Sequence, residues 1–156
     1  MARTNGGITG VSNKTSFGKC KVTTKSSSTP SAVTTQPGTR LVETLVVAGG
    51  GGGGSTGGGS GGGGGAGGVR NLELSVCGNT ALGAVVIGGG GSALSDGANS
   101  SVVIGCTTYT SEGGGKGAKS FLSESSAAAG TGGSGGGGQG YTGPQPGPSK
   151  VGAAGN

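Results

Sequence analysis

The sequence predicts a mainly β or irregular fold, in which short strands alternate with glycine-rich tracts and no significant α-helix forms. Three observations predict it. Glycine fills 45 of the 156 positions, whereas its usual share is about 7%. Short runs of valine, isoleucine and leucine adjoin the glycine tracts and show no helical period. Each glycine inside a helix would cost about 1 kcal/mol relative to alanine, so long helices are excluded.

The strands are predicted from short apolar runs that end at, or lead into, glycine. The best candidate covers residues 40–48, because its β-branched content and length are typical of a strand. Weaker β tendency is present in the polar N-terminal part, in two runs separated by proline turns. The remaining strand candidates are residues 72–76, 84–87 and 100–104, the weak ones are 19–25 and 31–35, and 123–129 could form one short turn.

The glycine tracts can order as packed polyglycine-II helices. This left-handed helix has three residues per turn and a rise of about 3.1 Å. Neighbouring helices can bond through backbone amides and carbonyls, and only glycine permits so close an approach. Ser55, Thr56, Ser60 and Ala66, which interrupt the tract 49–68, would then lie on outer faces or at tract ends. A flexible Gly/Ser linker is the alternative that composition leaves open.

Charge divides the chain. Residues 1–40 carry six bases and no acid, whereas the remainder carries four bases and five acids. We therefore expect a basic, extended attachment arm over 1–40, a glycine-rich domain over 41–147 and a C-terminal tail over 148–156. A solvated basic arm without a partner is the alternative. The attachment candidates are Arg3, Lys14, Lys19, Lys21, Lys25 and Arg40.

Several functions are disfavoured. The chain has no histidine, its carboxylates are scattered and no phosphate-binding loop follows a strand, so we expect no enzyme, cofactor or metal site. The absence of Arg-Gly-Gly repeats and base-stacking aromatics argues against nucleic-acid binding. The longest apolar run, residues 45–48, is far shorter than the roughly 20 residues of a membrane span. Cys20, Cys77 and Cys106 are predicted to be buried and reduced, with a Cys77–Cys106 disulfide as the alternative.

The order of these segments resembles the glycine-rich domains of bacteriophage tail and fibre proteins. The resemblance rests on the apolar run 45–48 before glycine 49–54, the run 84–91, the Asn-Ser-Ser element in 97–105 and the glycine runs 113–117 and 132–140. Val102 stands where the family usually has an aromatic residue. Residues 5–25 resemble the leader attached to such domains.

The resemblance implies a virion protein of the tail-fibre or adhesin type that contributes to host attachment. A head-fibre or capsid decoration protein with a structural role is the first alternative. A secreted glycine-rich or ice-binding protein is the second, although the polar N-terminus and irregular tracts argue against it. We expect other virion proteins as partners, a homo-oligomer, with a trimer favoured, and a glycan or protein on the host surface. The candidate receptor contacts are Thr107, Thr108, Tyr109, Thr110 and Tyr141, although packing at the edge of a strand is favoured over receptor contact for Tyr109.

Overall fold

The computed structural model shows short strands joined by glycine tracts. Within its described ranges it has seven strands in three small sheets and no helix. This confirms the mainly β or irregular fold. The described residues are 22–26, 33–57, 60–121, 128–140 and 151–156.

Two of the sheets are two-stranded. β1 (Leu41–Val47) pairs antiparallel with β3 (Val69–Ser75), and we call this pair the ribbon. β2 (Thr56–Gly57) pairs in parallel with β7 (Ser120–Phe121). The sequence did not predict β2 or β7, because each has only two residues and neither contains an apolar run.

The third sheet has three antiparallel strands in the order β4-β5-β6. Its strands are β4 (Val85–Val86), β5 (Ser100–Ile104) and β6 (Thr107–Ser111). The strands expected at 100–104 and, with shifted bounds, at 40–48, 72–76 and 84–87 are therefore confirmed. The sequence did not predict β6 as a strand of its own. Of the weaker candidates, Thr34 forms an isolated bridge with Ala81. Residues 22–25 of the run 19–25 are described and form no strand, whereas residues 19–21 and residues 123–127 of the possible turn lie outside the described residues.

The ribbon packs on the three-stranded sheet and encloses a small apolar core. Four side chains are buried together, and five half-buried ones surround them. Along β5, buried residues alternate with half-buried ones, as expected where one face of a strand lies on a core. The buried residues are Val46, Leu82, Val102 and Ile104, and those around them are Val33, Leu74, Val76, Val85 and Tyr109.

Beyond the ribbon, the chain continues as paired glycine tracts whose hydrogen bonds recur every third residue. The amides of Ala48, Gly51 and Gly54 donate to the carbonyls of Gly68 (3.0 Å), Gly65 (2.8 Å) and Gly62 (2.7 Å), respectively. As the donor number rises by three, the acceptor number falls by three, so the tracts are antiparallel. A spacing of three matches the three residues per turn of polyglycine II.

The tract 48–54 has neighbours on several sides. Its residues 49 and 52 donate to Ala98 and Ser95, while its carbonyls at 50 and 53 accept from residues 91 and 94. The amides of residues 114 and 117 donate to its carbonyls at 49 and 52. Successive residues around one turn thus serve different neighbours, which is how a packed polyglycine-II bundle satisfies its amides.

Close approach, and not backbone conformation, makes glycine necessary in these tracts. Among the described glycines only Gly38 and Gly105 have positive φ. By contrast, a Cβ added at Gly52 or Gly64 would lie well under 3.0 Å from the backbone of a neighbouring tract. The side chains of Ser60 and Ala66 avoid this conflict because both residues are exposed, as predicted for interruptions on outer faces.

The strands and the glycine tracts share a continuous register. β1 and β3 end on the pair Val47 and Val69, and the first tract bond, from Ala48 to Gly68, continues that register. The bond from Ala98 to Gly89 continues the pairing of β4 with β5 in the same way. The bundle is therefore an extension of the β-sheets through glycine-rich tracts.

Candidate functional site

The hairpin of β5 and β6 carries most of the predicted receptor contacts. Gly105 and Cys106 form its turn, with Gly105 at φ 64°, a left-handed value that favours glycine. Thr107 and Thr108 are exposed, whereas Tyr109 and Thr110 are half-buried. The structure thus brings these four candidates together on one strand, and Tyr141 lies outside the described residues.

Tyr109 contacts the core as well as the surface. It pairs with Val102 of β5 and packs against the apolar cluster. This position fits a packing role for the ring, which was the favoured interpretation of this residue. The exposed threonines therefore offer more freely available binding groups than the tyrosine does.

Arg70 joins the ribbon to the hairpin. Its Nη1 donates a hydrogen bond of 2.9 Å to the carbonyl of Thr110. A charged donor at this carbonyl connects β3 to β6 and fixes the hairpin relative to the ribbon. The sequence did not indicate this role, because no local pattern links residues 40 positions apart.

Beside residues 113–116, two polar side chains accept backbone hydrogen bonds of the kind that carbonyls of a neighbouring glycine tract accept elsewhere. Asn99 Oδ1 accepts from the amide of Gly113 at 2.8 Å, and Asp96 Oδ1 accepts from the amide of Lys116 at 2.7 Å. Both the donors and the acceptors are three residues apart, which matches the polyglycine-II period. Sequence analysis missed these acceptors, although the three-residue spacing of Asp96 and Asn99 was a usable signal.

Replacing Asn99 with alanine should therefore destabilise the bundle. Gly113 is buried, and its amide would lose its acceptor, at a cost of about 1–3 kcal/mol. Chemical denaturation of the variant measures the loss. Asn71→Ala is the matched control, since its amide makes only an exposed 3.4 Å bond to Glu43 and should change stability by less than about 0.5 kcal/mol. Equal losses in both variants would contradict this role for Asn99.

The outward side of the ribbon combines apolar and acidic residues. We call it the ribbon face, and it consists of Leu41, Glu43, Leu45, Val47, Val69, Asn71, Glu73 and Ser75. Its four aliphatic side chains are 50–65% exposed, and the two glutamates lie directly opposite each other across the strands. Sequence analysis did not single out this face. The signal was the apolar content of β1 at both odd and even positions, which implies two apolar faces.

Most of the candidate residues of the attachment arm lie outside the described residues. Lys25 and Arg40 lie in described ranges, whereas Arg3, Lys14, Lys19 and Lys21 do not. The carbonyl of Arg40 accepts from the amide of Val76 at 2.9 Å, so the residue before β1 is held against the end of β3. Whether these bases attach the chain to a partner stays a prediction, as do the proposed domain boundaries.

The expectation of buried cysteines is wrong for Cys77 and Cys106, which are free and exposed. Each follows a strand at the point where the chain turns, and turns lie at the surface because their backbone groups need solvent or partners. The alternative Cys77–Cys106 disulfide is not formed either. Cys20 lies outside the described residues.

In the described part of the chain, few reactive or metal-binding side chains come together as they would at a catalytic or metal centre. Among the described residues, no three His, Cys, Asp or Glu side chains lie close enough to hold a metal ion. A shallow depression beside Cys77 is lined by residues 38–40 and 76–78, which mainly form turns and strand ends. No helix in the described part of the chain is long and apolar enough to cross a membrane.

Comparison with known proteins agrees with this architecture. The family model described as a glycine-rich domain matches residues 23–156. Neither a curated protein nor a solved structure gives a significant match. The match covers both the strands and the glycine tracts, and the chain belongs to the glycine-rich domain family.

Proposed function

We propose that the chain is a non-enzymatic structural protein of a bacteriophage particle, a tail-fibre or adhesin-type component that contributes to host attachment. One observation carries the proposal: sheets continue directly into a hydrogen-bonded glycine bundle and carry an exposed threonine-bearing hairpin. Such a bundle is a stiff support, since its amides are paired with neighbouring tracts. The resemblance over residues 41–147 supports the phage context.

In this function the chain assembles with itself, as a trimer, and with other virion proteins. Thr107 and Thr108 contact a glycan or protein on the host, because their hydroxyl groups can both donate and accept hydrogen bonds. The basic N-terminal residues attach the chain to its neighbours in the particle.

A head-fibre or decoration protein is the second candidate. It is favoured by the scarcity of large exposed side chains on the hairpin, where Tyr109 packs on the core. Binding hot spots are usually rich in tryptophan, tyrosine and arginine, and a support without a receptor role needs none of them.

Labelling of intact particles distinguishes the two candidates. Antibodies raised against the purified chain are expected to bind at the tail in electron micrographs and to reduce adsorption to host cells. Head labelling with unimpaired adsorption would support the decoration protein. Failure to label any phage particle that encodes the chain would overturn both.

Replacing Thr107 and Thr108 together with glutamate tests the receptor contact. Because both side chains are exposed, the fold should persist while particle adsorption falls about tenfold or more, which corresponds to about 1.4 kcal/mol of binding. Adsorption rates and thermal unfolding of the variant are the measurements. Ser92→Glu with Ser95→Glu, on the exposed turn after β4, is the control. Undiminished adsorption of the threonine variant would exclude the hairpin as the contact.

A further inference from the structure

We propose that the ribbon face is a docking surface for the basic N-terminal segment, residues 1–21, of a neighbouring copy of this chain. The inference rests on the self-association in the proposed function but not on a place in the virion. It is carried by the composition of the face, by the charge of the segment and by the exposure of the residue that follows it.

The ribbon face leaves apolar area in water. Leu45 and Val69 are 65% and 62% exposed. Val47, which pairs with Val69 and lies two positions from Leu45, is 50% exposed. Clustered exposed aliphatic groups are typical of interaction sites. The face therefore gains from being covered.

The charges of the ribbon face indicate the charge of the partner that covers it. Glu43 lies directly opposite Glu73, and like charges in such a pair destabilise it. Asn71 supplies Glu43 with one neutral donor at 3.4 Å. A cation from the covering partner would relieve this repulsion while its aliphatic stem extends over the neighbouring Leu41 or Leu45.

A second ribbon face is the wrong partner. Two copies packed face to face would place four carboxylates together at the centre of the contact, because each face contributes Glu43 and Glu73. That arrangement adds like-charge repulsion. The occupant must instead be basic.

The N-terminal segment has the required charge. Residues 1–21 contain four bases and no acid, and they precede the region matched by the glycine-rich domain, which starts at residue 23. Lys19 and Lys21 are two positions apart, so an extended chain would present both on one side. The four bases are Arg3, Lys14, Lys19 and Lys21.

The segment's junction with the described chain is accessible to a neighbouring copy. Val22 is 87% exposed, and Thr23 and Thr24 are exposed as well. The junction is therefore not covered by the ribbon of its own chain. Exchange between copies would link each protomer to the next and would complete the ribbon face only in the assembly.

Cross-linking of full-length protein tests the proposal directly. Equal amounts of ¹⁴N- and ¹⁵N-labelled protein are mixed and treated with a carbodiimide, which joins lysine amines to carboxylates without a spacer. We expect links from Lys19 or Lys21 to Glu43 or Glu73 in which one peptide is light and the other heavy. Links within one isotope only would show docking on the same copy and would overturn the exchange.

Charge reversal supplies the specificity control. Glu43→Lys with Glu73→Lys should abolish the links from Lys19 and Lys21 to this face and reduce the size of the oligomer seen by sedimentation, with about a tenfold weaker association. Adding Lys19→Glu and Lys21→Glu should restore the oligomer and the mixed-isotope links, now with the amines on the ribbon face and the carboxylates on the segment. Glu112→Lys, an acid outside the ribbon, should change neither. Association that is insensitive to the reversal, or not restored by the swap, refutes this surface, whereas tail labelling on particles tests the proposed function separately.

Discussion

Gly64→Ala is expected to lower the free energy of unfolding by about 3 kcal/mol, because overpacking of this kind has little room to relax. A Cβ at residue 64 would lie well under 3.0 Å from the carbonyl oxygen of Gly51. The opposing atoms belong to a backbone that is itself fixed by the bond from Gly51 to Gly65. The two tracts must therefore separate, and neighbouring bonds lengthen with them.

Gly63→Ala, one residue earlier, is the matched control. Nothing lies within 4 Å of a Cβ at that position, and its φ is not positive. Alanine reduces the freedom of the unfolded chain, so this variant should be more stable by about 0.4–1 kcal/mol. Denaturant titration followed by circular dichroism measures both changes.

Changes of opposite sign in the free energy of unfolding at the adjacent Gly63 and Gly64 would identify a packed bundle. A flexible linker would respond to the two substitutions alike, since neither position would have a fixed neighbour. The pair Gly52→Ala and Gly53→Ala repeats the test in another tract, where a Cβ at residue 52 meets Ser92 and one at residue 53 has its nearest contact at 3.8 Å. Similar effects at residues 63 and 64 would refute the packed arrangement.

The sequence predicts the strands better than their arrangement. Residues 40–48 and 100–104 contain enough β-branched side chains to identify β1 and β5 from local composition. Composition cannot identify partners, however. β1 pairs with β3 across a glycine tract, and the tract residues have no side chains that could encode which neighbour they meet.

Polar acceptors and exposed faces were harder to predict for a different reason. Asn99 and Asp96 act on amides 14 and 20 positions away, and Arg70 acts on a carbonyl 40 positions away. The fold, and not the local sequence, brings together residues that are so far apart along the chain. The ribbon face likewise follows from which side of β1 meets the core, and Val46, not Leu45, is the residue that does.

The surface position of the cysteines has a related cause. Cys77 and Cys106 follow apolar runs, and the runs suggested that burial continues through them. Each strand instead ends at or before the cysteine, and the chain turns there, with Asn79 at φ 61° shortly after Cys77. Where a strand ends is decided by the turn that follows it, and such turns depend on left-handed residues.

Val102→Ala is the second substitution with a large expected effect. Val102 is 5% exposed in the middle of β5, so removal of two carbons should cost about 2–3 kcal/mol through lost burial and the cavity left behind. Val86→Ala makes the same change on β4, where the side chain is 48% exposed, and should cost less than about 1 kcal/mol. Thermal or denaturant unfolding of the two variants gives the difference.

The same variant tests whether the sheets hold the bundle together. Because Ala98 and Gly97 continue the registers of β4–β5 and β5–β6 into the tracts, loosening β5 should weaken the bonds beyond it. Hydrogen exchange at Gly97, Gly114 and Gly51 should therefore accelerate in Val102→Ala and stay near the unmodified rate in Val86→Ala. Loss of protection confined to β4–β6 would instead mean that the glycine tracts maintain their own register, with the sheets attached to an autonomous bundle.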